Sequence, residues 1–349
     1  MGTETIEVIR ILSLTAGAFV LAMVLTPLWT NFLYKYRMRK YRSMEGTPVF
    51  ASLHLKKAET PTMGGVLIWG TVVVVLIVLA LSKKLFPGTF WEHFYFVSRA
   101  ETLLPLGVFI FAALVGLADD LFGVLRIGPK GGGISMKQRI GIYTILAAIG
   151  ALWFFYKLEW DVLFIPFVGA LSIGVWYIPI FIFMIVATAF SINETDGLDG
   201  LSGGILLVAF SSFGLIAFLQ GRYDLATFCG VIVGAIIAYL WFNIYPARFF
   251  MGDTGSMSLG VTLGVIAMLT NAALLLPLIA FIPMIESGSV IIQITSKKLR
   301  GKKIWHSTPI HHHFEAKGWP ETKVTQRFWL ISGVMAALGL VVYLLGQQV

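Results

Sequence analysis

Nine long uncharged apolar runs constrain this chain more than any other feature. They cover residues 11–34, 63–82, 102–118, 140–156, 162–193, 200–221, 225–247, 254–285 and 328–346. A helix needs about 20 apolar residues to cross the hydrocarbon core of a bilayer. Inside that core every backbone N–H and C=O must be paired within the segment, which leaves helices as the natural spans. Most of the runs hold one span. The run 162–193 is too long for one and contains Pro166, Gly169, Gly174 and Pro179. We read it as a hairpin or re-entrant piece followed by a helix from about residue 175. The run 254–285 divides near Asn271 and Pro277, and its second half continues to about Ser296. The fold expected is an all-α polytopic membrane protein of about ten transmembrane helices, with residues 1–349 forming a single membrane domain.

Composition agrees: 57% of residues are hydrophobic and 13% charged, and the mean hydropathy is +0.84. The lone cysteine, Cys229, falls inside a span, so neither a disulfide framework nor a thiolate metal site is available. The N-terminal stretch "MGTETIEVIR" carries two acids before its arginine, a poor signal-peptide start, so the first helix is expected to be retained.

Numbering the spans separates two sets of loops. The set 35–62, 119–139, 194–199, 248–253 and 297–327 holds 20 of the 26 lysines and arginines. Basic loops stay cytoplasmic, which places both termini in the periplasm and these five loops inside. The net charge of +8 mostly reflects this bias. Orientation and anionic lipid headgroups account for it without a nucleic acid partner. Asp119, Asp120, Asp196, Asp199 and Asp253, five of the seven aspartates, lie in the same loops. The sequence thus points to an active-site cleft on the cytoplasmic face.

Each acidic motif has a bland reading and a sharper one. In "VGLADDL" the pair Asp119 and Asp120 stands at a helix C-terminus, where the dipole disfavours anions and neighbouring carboxylates repel. A solvated end neutralised by Lys130 or Lys137 is the plain account, and a bound cation the sharper one. In "SINETDGLDGLSGG", Asn193, Asp196 and Asp199 recur every three residues and would share one face of a helix. A single Asp would suffice as an N-cap, and Gly197 and Gly200 permit close approach of a ligand. In "FMGDTGS", Asp253 sits in a Gly-flanked turn before a helix, which suits a hard cation beside an anion, or is simply a capped turn. Phe249 and Phe250 stand at the membrane edge, as anchors or as a stacking platform for a base. "HLKKAETPTMGG" offers Lys56, Lys57, Thr60 and Thr62, either for headgroups or for substrate. Glu286 lies within a span and should face protein or a polar cleft, near a bend at Pro283 and Gly288.

Three consecutive histidines, His311, His312 and His313, occur in "HSTPIHHHFEAKGWP". Consecutive side chains diverge in helix or strand, so the three cannot ligate one metal together. The oxygen-rich ligands elsewhere favour Mg²⁺ over zinc. The histidines read better as donors to phosphate or sugar oxygens or as acid–base groups, against the plain alternative of a solvated loop.

Together "TPTMGG", "ADD", "NETDGLDGL", "FMGDTGS" and "PIHHHFE" resemble the polyprenyl-phosphate N-acetylhexosamine-1-phosphate transferase superfamily, from about Lys56 to Glu315. The histidine motif resembles the phospho-N-acetylmuramoyl-pentapeptide transferase family more than the N-acetylglucosamine branch. The resemblance implies transfer of phospho-N-acetylmuramoyl-pentapeptide from its UDP conjugate to undecaprenyl phosphate, giving lipid I and UMP with Mg²⁺ as cofactor, in a bacterial inner membrane. It implies Asp253 as the metal ligand, and Asp119, with Asp120 beside it, as base or as the group that positions the lipid phosphate. Asn193, Asp196 and Asp199 would line the nucleotide cleft, with Gly197, Leu198, Asn243 and Phe250 near the uridine. Lys57 and Lys137 would meet phosphates, in a site that also takes in Thr62. His312 and His313 would lie near the diphosphate or sugar, with His311 and Gln293 close by. Two positions depart from the family pattern. Gly123 stands where relatives often have Lys, a contact Arg126 could take over, and Glu194 stands in a motif often read "NLTDGLDGL". A transferase of UDP-N-acetylglucosamine is the nearest alternative. A divalent-metal or secondary transporter is the alternative of another class, disfavoured because the acids gather at one face rather than at the midplane. The sequence does not set the oligomeric state, and a homodimer is left open.

Overall fold

The computed structural model describes residues 2–40, 57, 59–99, 101–129 and 132–347. Lys56 and Lys130 fall outside the described residues. Eleven helices carry the fold among the described residues: α1 Thr3–Lys35, α2 Gly65–Leu85, α3 Leu103–Leu125, α4 Met136–Leu152, α5 Tyr177–Thr195, α6 Leu201–Leu219, α7 Tyr223–Asn243, α8 Asp253–Leu269, α9 Phe281–Arg300, α10 Ile310–Ala316 and α11 Glu321–Gly346. Among the described residues eight helices are long and apolar enough to cross a membrane, or nine if the bent pair ending in α9 is one span. The protein is an all-α, multi-pass membrane protein, as its apolar runs predict.

The remaining expected span, the first half of the run 254–285, corresponds to α8, which has 17 residues, every one of them buried. At 1.5 Å per residue it is about 25 Å long, shorter than a bilayer core of about 30 Å. Its sequence, DTGSMSLGVTLGVIAML, is rich in small residues, and small residues let helices approach closely inside a membrane. A Cβ on Gly65 of α2 would collide with the backbone of Gly255, and one on Gly116 of α3 would collide with the carbonyl of Asp253. α8 is therefore a central post ringed by α2, α3 and α5, and its N-terminus is fixed in depth against α3.

Three local features decide what surrounds this post. The run 162–193 begins with a β-hairpin, β1 Val162–Ile165 paired antiparallel with β2 Gly169–Ser172, and then enters α5. The backbone turns through Phe167 and Gly169, both at positive φ. The amide of Phe164 donates to Asn271 Oδ1 at 3.0 Å. α4 opens with a capping box in which Ser135 and Gln138 cap each other's backbone. The bend expected around Glu286 lies earlier, between Ala273–Ile279 and Phe281–Arg300, at an angle of 86°. Pro283 falls in the first turn of α9, where its missing N–H costs nothing, so it starts a helix rather than kinking one. Gly288 stays within α9.

The long helices alternate in direction. The C-terminal ends of α1, α3, α5, α7 and α9 therefore meet the N-terminal ends of α2, α4, α6, α8 and α11. Pairing across this end ties the loops together: the Thr62 amide donates to the Met38 carbonyl, the Phe250 amide to Pro61 and the Gly64 amide to Phe250. Among the described residues, Thr62, Asp119, Asp120, Asp199 and Asp253 of the motifs singled out above lie at this one end.

Candidate active site

Two carboxylates at a helix C-terminus are unfavourable in isolation, and the structure shows how the cost is met. Asp119 and Asp120 are fully buried inside the last two turns of α3, not beyond its end. Asp120 accepts the backbone amides of Asp253 and Thr254 at 3.1 and 3.0 Å. It thereby caps the N-terminus of α8, where the helix dipole favours an anion. Gly252 just before it has φ +74, and a Cβ there would lie 2.5 Å from Asp120 Oδ2 and 2.6 Å from Thr62 Oγ1. Glycine is required at this turn on both grounds. Thr62 is thus a buried wall of the acidic centre.

Asp253, the first residue of α8, is 7% exposed. Asn193 Nδ2 donates to its Oδ1 at 2.8 Å and to Ser256 Oγ at 3.0 Å. Two cations reach the same group. Arg139 of α4 lies 2.9 Å from Asp253 Oδ1 and 2.7 Å from Asp119 Oδ2, and also donates to Asn193 Oδ1 at 3.1 Å. Lys40 pairs with Asp253 and, at 3.3 Å, with Asp120. Burial opposes the charge on Lys40, but Asp253, Asp120 and Asp119 outweigh it, so its pKa is raised and it stays an ammonium. Asp119 also accepts the amide of Ile134. The centre therefore holds three carboxylates against two cations. Arg139 and Lys40 belong to no motif recognised above. Lys137, the nearby lysine expected to meet phosphate, is exposed on the first turn of α4.

Asn193, Asp196 and Asp199 do not share a helix face, because α5 ends at Thr195 and Asp196 is its C-cap. Asn193 turns to Asp253, while Asp199 belongs to a second cluster. Lys57 Nζ donates to Asp199 Oδ1 at 2.6 Å and also pairs with Glu321 of α11. Asp199 accepts the Ala247 amide at 3.0 Å, and its own amide donates to Glu321 at 2.7 Å. The Lys57 ammonium stands 5.9 Å from the centroid of Phe250. Asn243 supports the same wall, accepting from the Gly200 amide at 3.0 Å and donating to the Phe249 carbonyl at 2.8 Å. Leu198 is 4% exposed and packs into an apolar cluster with Leu201, Ile205 and Val324. Its side chain supports this wall from beneath.

The histidines point three ways, as consecutive positions must. His311 is fully buried, and its Nδ1 meets Glu286 Oε2 at 2.9 Å. Glu286, within α9, is itself fully buried. Burial opposes charge on His311, but Glu286 overcomes it and the His311 pKa is raised. A Cβ on Gly197 would strike His311 Nε2, so these two positions fit each other. His312 Nδ1 meets Glu315 Oε2 at 2.7 Å, an i,i+3 pair on α10. His313 Nδ1 accepts the His306 amide at 3.2 Å, and the two rings stack at 5.3 Å. Burial, then Lys317 and His306, holds the His313 pKa below the usual range. Gln293 ties down the segment before the histidines, accepting the Ile304 and Trp305 amides at 2.9 and 3.1 Å. Among the described residues no group of three or more His, Cys, Asp or Glu is arranged to enclose a metal.

Comparison with known proteins now bears on this arrangement. The family model for glycosyl transferase family 4 matches residues 102–271, and signature 1 of phospho-N-acetylmuramoyl-pentapeptide-transferase matches residues 57–68. A phospho-N-acetylmuramoyl-pentapeptide-transferase of Chloroflexus aggregans is 38% identical over 347 residues, covering 96% of this chain and 89% of that protein. One of Anoxybacillus flavithermus is 36% identical, covering 95% and 97%. One of Clostridium novyi is 34% identical, covering 92% and 93%. The chain belongs to the phospho-N-acetylmuramoyl-pentapeptide-transferase family. The glycosyl transferase match spans α3 to the end of α8, and so includes all three carboxylates of the buried centre. The signature spans Lys57, Thr62 and the start of α2.

Proposed function

We propose that this protein transfers phospho-N-acetylmuramoyl-pentapeptide from its UDP conjugate to undecaprenyl phosphate, releasing UMP and forming lipid I for peptidoglycan synthesis at a bacterial inner membrane. The observation that carries this reading is the buried centre of Asp119, Asp120 and Asp253 with Lys40 and Arg139, gathered at one end of the bundle in a chain whose relatives carry that transferase name. Lipid and nucleotide substrates are both anions. They meet productively only where fixed charges hold them in line and absorb the charge that develops.

In the reaction an oxygen of the lipid phosphate bonds to the phosphorus that carries the sugar, and the bond from that phosphorus to the UMP oxygen breaks. The lipid phosphate needs no proton removed at neutral pH beyond its second ionisation. Asp119 would complete that ionisation or align the attacking oxygen. Arg139 and Lys40 would face the phosphates as the carboxylates exchange partners. Lys57, fixed by Asp199 and Glu321, would meet the nucleotide diphosphate beside Phe250, which offers a face for uracil. His312 and His313 would donate to phosphate or sugar oxygens.

Asp253 offers carboxylate oxygens, the donor class that Mg²⁺ prefers, at the start of α8. That ion takes one or two carboxylates from a protein and fills its octahedron with water and substrate phosphates. Asp253 would hold it, and its chemistry here is to screen the diphosphate and polarise the bond that breaks. Donor choice tests the proposal. Purified protein given undecaprenyl phosphate and Mg²⁺ should turn over UDP-N-acetylmuramoyl-pentapeptide at least 100-fold faster than UDP-N-acetylglucosamine. Equal rates, or turnover of the second alone, would place the protein in the other branch.

A further inference from the structure

Gly123 lies on α3 one turn beyond the Asp119–Asp120 pair and carries no side chain. In this protein the Lys40 side chain lies across that position. A Cβ built on Gly123 would fall 2.5 Å from Lys40 Cε, 2.7 Å from Cγ and 3.1 Å from Cδ. A side chain at 123 and Lys40 in its observed place exclude each other. From there the Lys40 ammonium reaches Asp120 at 3.3 Å and Asp253. Its side chain is 21% exposed, so it is not sealed inside the bundle. Arg126 is exposed at the C-cap of α3.

We propose that Lys40 is a substrate-phosphate-binding residue of this transferase, delivered from the loop after α1 into the gap that Gly123 leaves, and that the two positions form one exchangeable unit. The inference deepens the proposed function and rests on it. Electrostatics give the reason for such an exchange. Without Lys40, three carboxylates would face Arg139 alone, and an incoming phosphate would be repelled more strongly than by three carboxylates facing two cations. A lysine at 123 would supply the second cation from the helix itself. Lys40 supplies it from outside, but only if position 123 has no side chain.

The test is a swap, read by steady-state transfer with both substrates varied and by melting temperature. Lys40→Met should lower kcat/KM about 10- to 100-fold, the loss of one charge-assisted contact to phosphate. Gly123→Lys combined with Lys40→Ala, which clears the space for the new side chain, should recover most of it. Gly123→Ala, which displaces Lys40 without supplying a charge, should lower kcat/KM while leaving the melting temperature level or higher, because Ala favours helix over Gly. Wild-type kinetics in Lys40→Met would overturn the proposal, and so would a double variant no better than Lys40→Met. If Lys40→Met does not fold, the double variant decides alone: near-wild-type turnover supports the exchange and loss of turnover refutes it. The wild-type rate in the same assay separates this outcome from a failure of the functional reading, since a wild type inactive on these substrates would refute that reading instead.

Discussion

Replacing His311 by Ala should damage the fold before it damages the chemistry. His311 and Glu286 are both fully buried and 2.9 Å apart. Among the described residues Glu286 Oε1 has no hydrogen-bond partner, and Oε2 meets His311 through its ring and, at 3.4 Å, its backbone amide. Removing the imidazole leaves a carboxylate inside the bundle with one weak donor. Breaking such a pair from one side costs about 3–5 kcal/mol. For a chain of this size that is a fall in melting temperature of roughly 5–15 °C. His311→Ala with Glu286→Gln should recover much of the loss, because no charge is then stranded. The pair also carries a pH signature. The His311 pKa is raised by Glu286, so its stabilisation is complete below the ordinary histidine pKa of about 6.5 and is lost as pH rises through the raised folded value. The wild type should lose melting temperature across that alkaline step, and His311→Ala should show a smaller drop over the same range. Thermal melts in detergent, read by intrinsic fluorescence at several pH values, measure both. An unchanged melting temperature in His311→Ala would refute the reasoning, as would a wild-type pH profile identical to that of the variant.

Four further outcomes are expected. Asp253→Asn should lower turnover on the order of 100-fold or more while the protein stays folded, and near-normal turnover with unchanged Mg²⁺ dependence would exclude Asp253 as the ligand. Arg139→Met should cost more activity than Lys137→Met, because Arg139 contacts two of the carboxylates and Lys137 is exposed; equal effects in steady-state kinetics would contradict the geometry. His312→Ala and His313→Ala should each lower turnover about 10- to 100-fold, and rates near wild type in both would remove these residues from the active site. A reporter fused after Val349 should be active only outside the cytoplasm, and cytoplasmic activity would overturn the assignment of both termini to the periplasm.

Helix positions were largely legible because the membrane demands long apolar helices, and those runs stand out in the sequence. Boundaries failed where polar residues stay helical: α3 continues through Asp119 and Asp120 because the N-terminus of α8 covers them. The short span α8 was visible as an apolar run, but its complete burial was not, since hydropathy does not separate lipid from protein. The carboxylates and histidines were legible because acids and imidazoles are conspicuous beside apolar runs. Their partners were less so. Glu315 lies three residues from His312 and could have been read from helical spacing. Glu321 looks like an ordinary first-turn acid, and nothing local indicates that it reaches Lys57. Arg139 and Lys137, two positions apart, are alike in the sequence, because orientation about a helix axis depends on packing rather than on sequence distance. Lys40 had one signal, the missing side chain at Gly123, and it lies 83 positions away in the chain.

The identity of the released nucleotide tests the central claim most directly. Purified protein should be given UDP-N-acetylmuramoyl-pentapeptide labelled in the phosphate attached to the sugar, together with undecaprenyl phosphate. The account predicts one UMP for each lipid product, with the label in the lipid diphosphate and both products lowered together, on the order of 100-fold or more, in Asp253→Asn. Release of UDP, with the label left on the nucleotide, would mean that sugar moves without its phosphate, and would contradict a phosphoryl-transfer centre built on Asp119, Asp120 and Asp253.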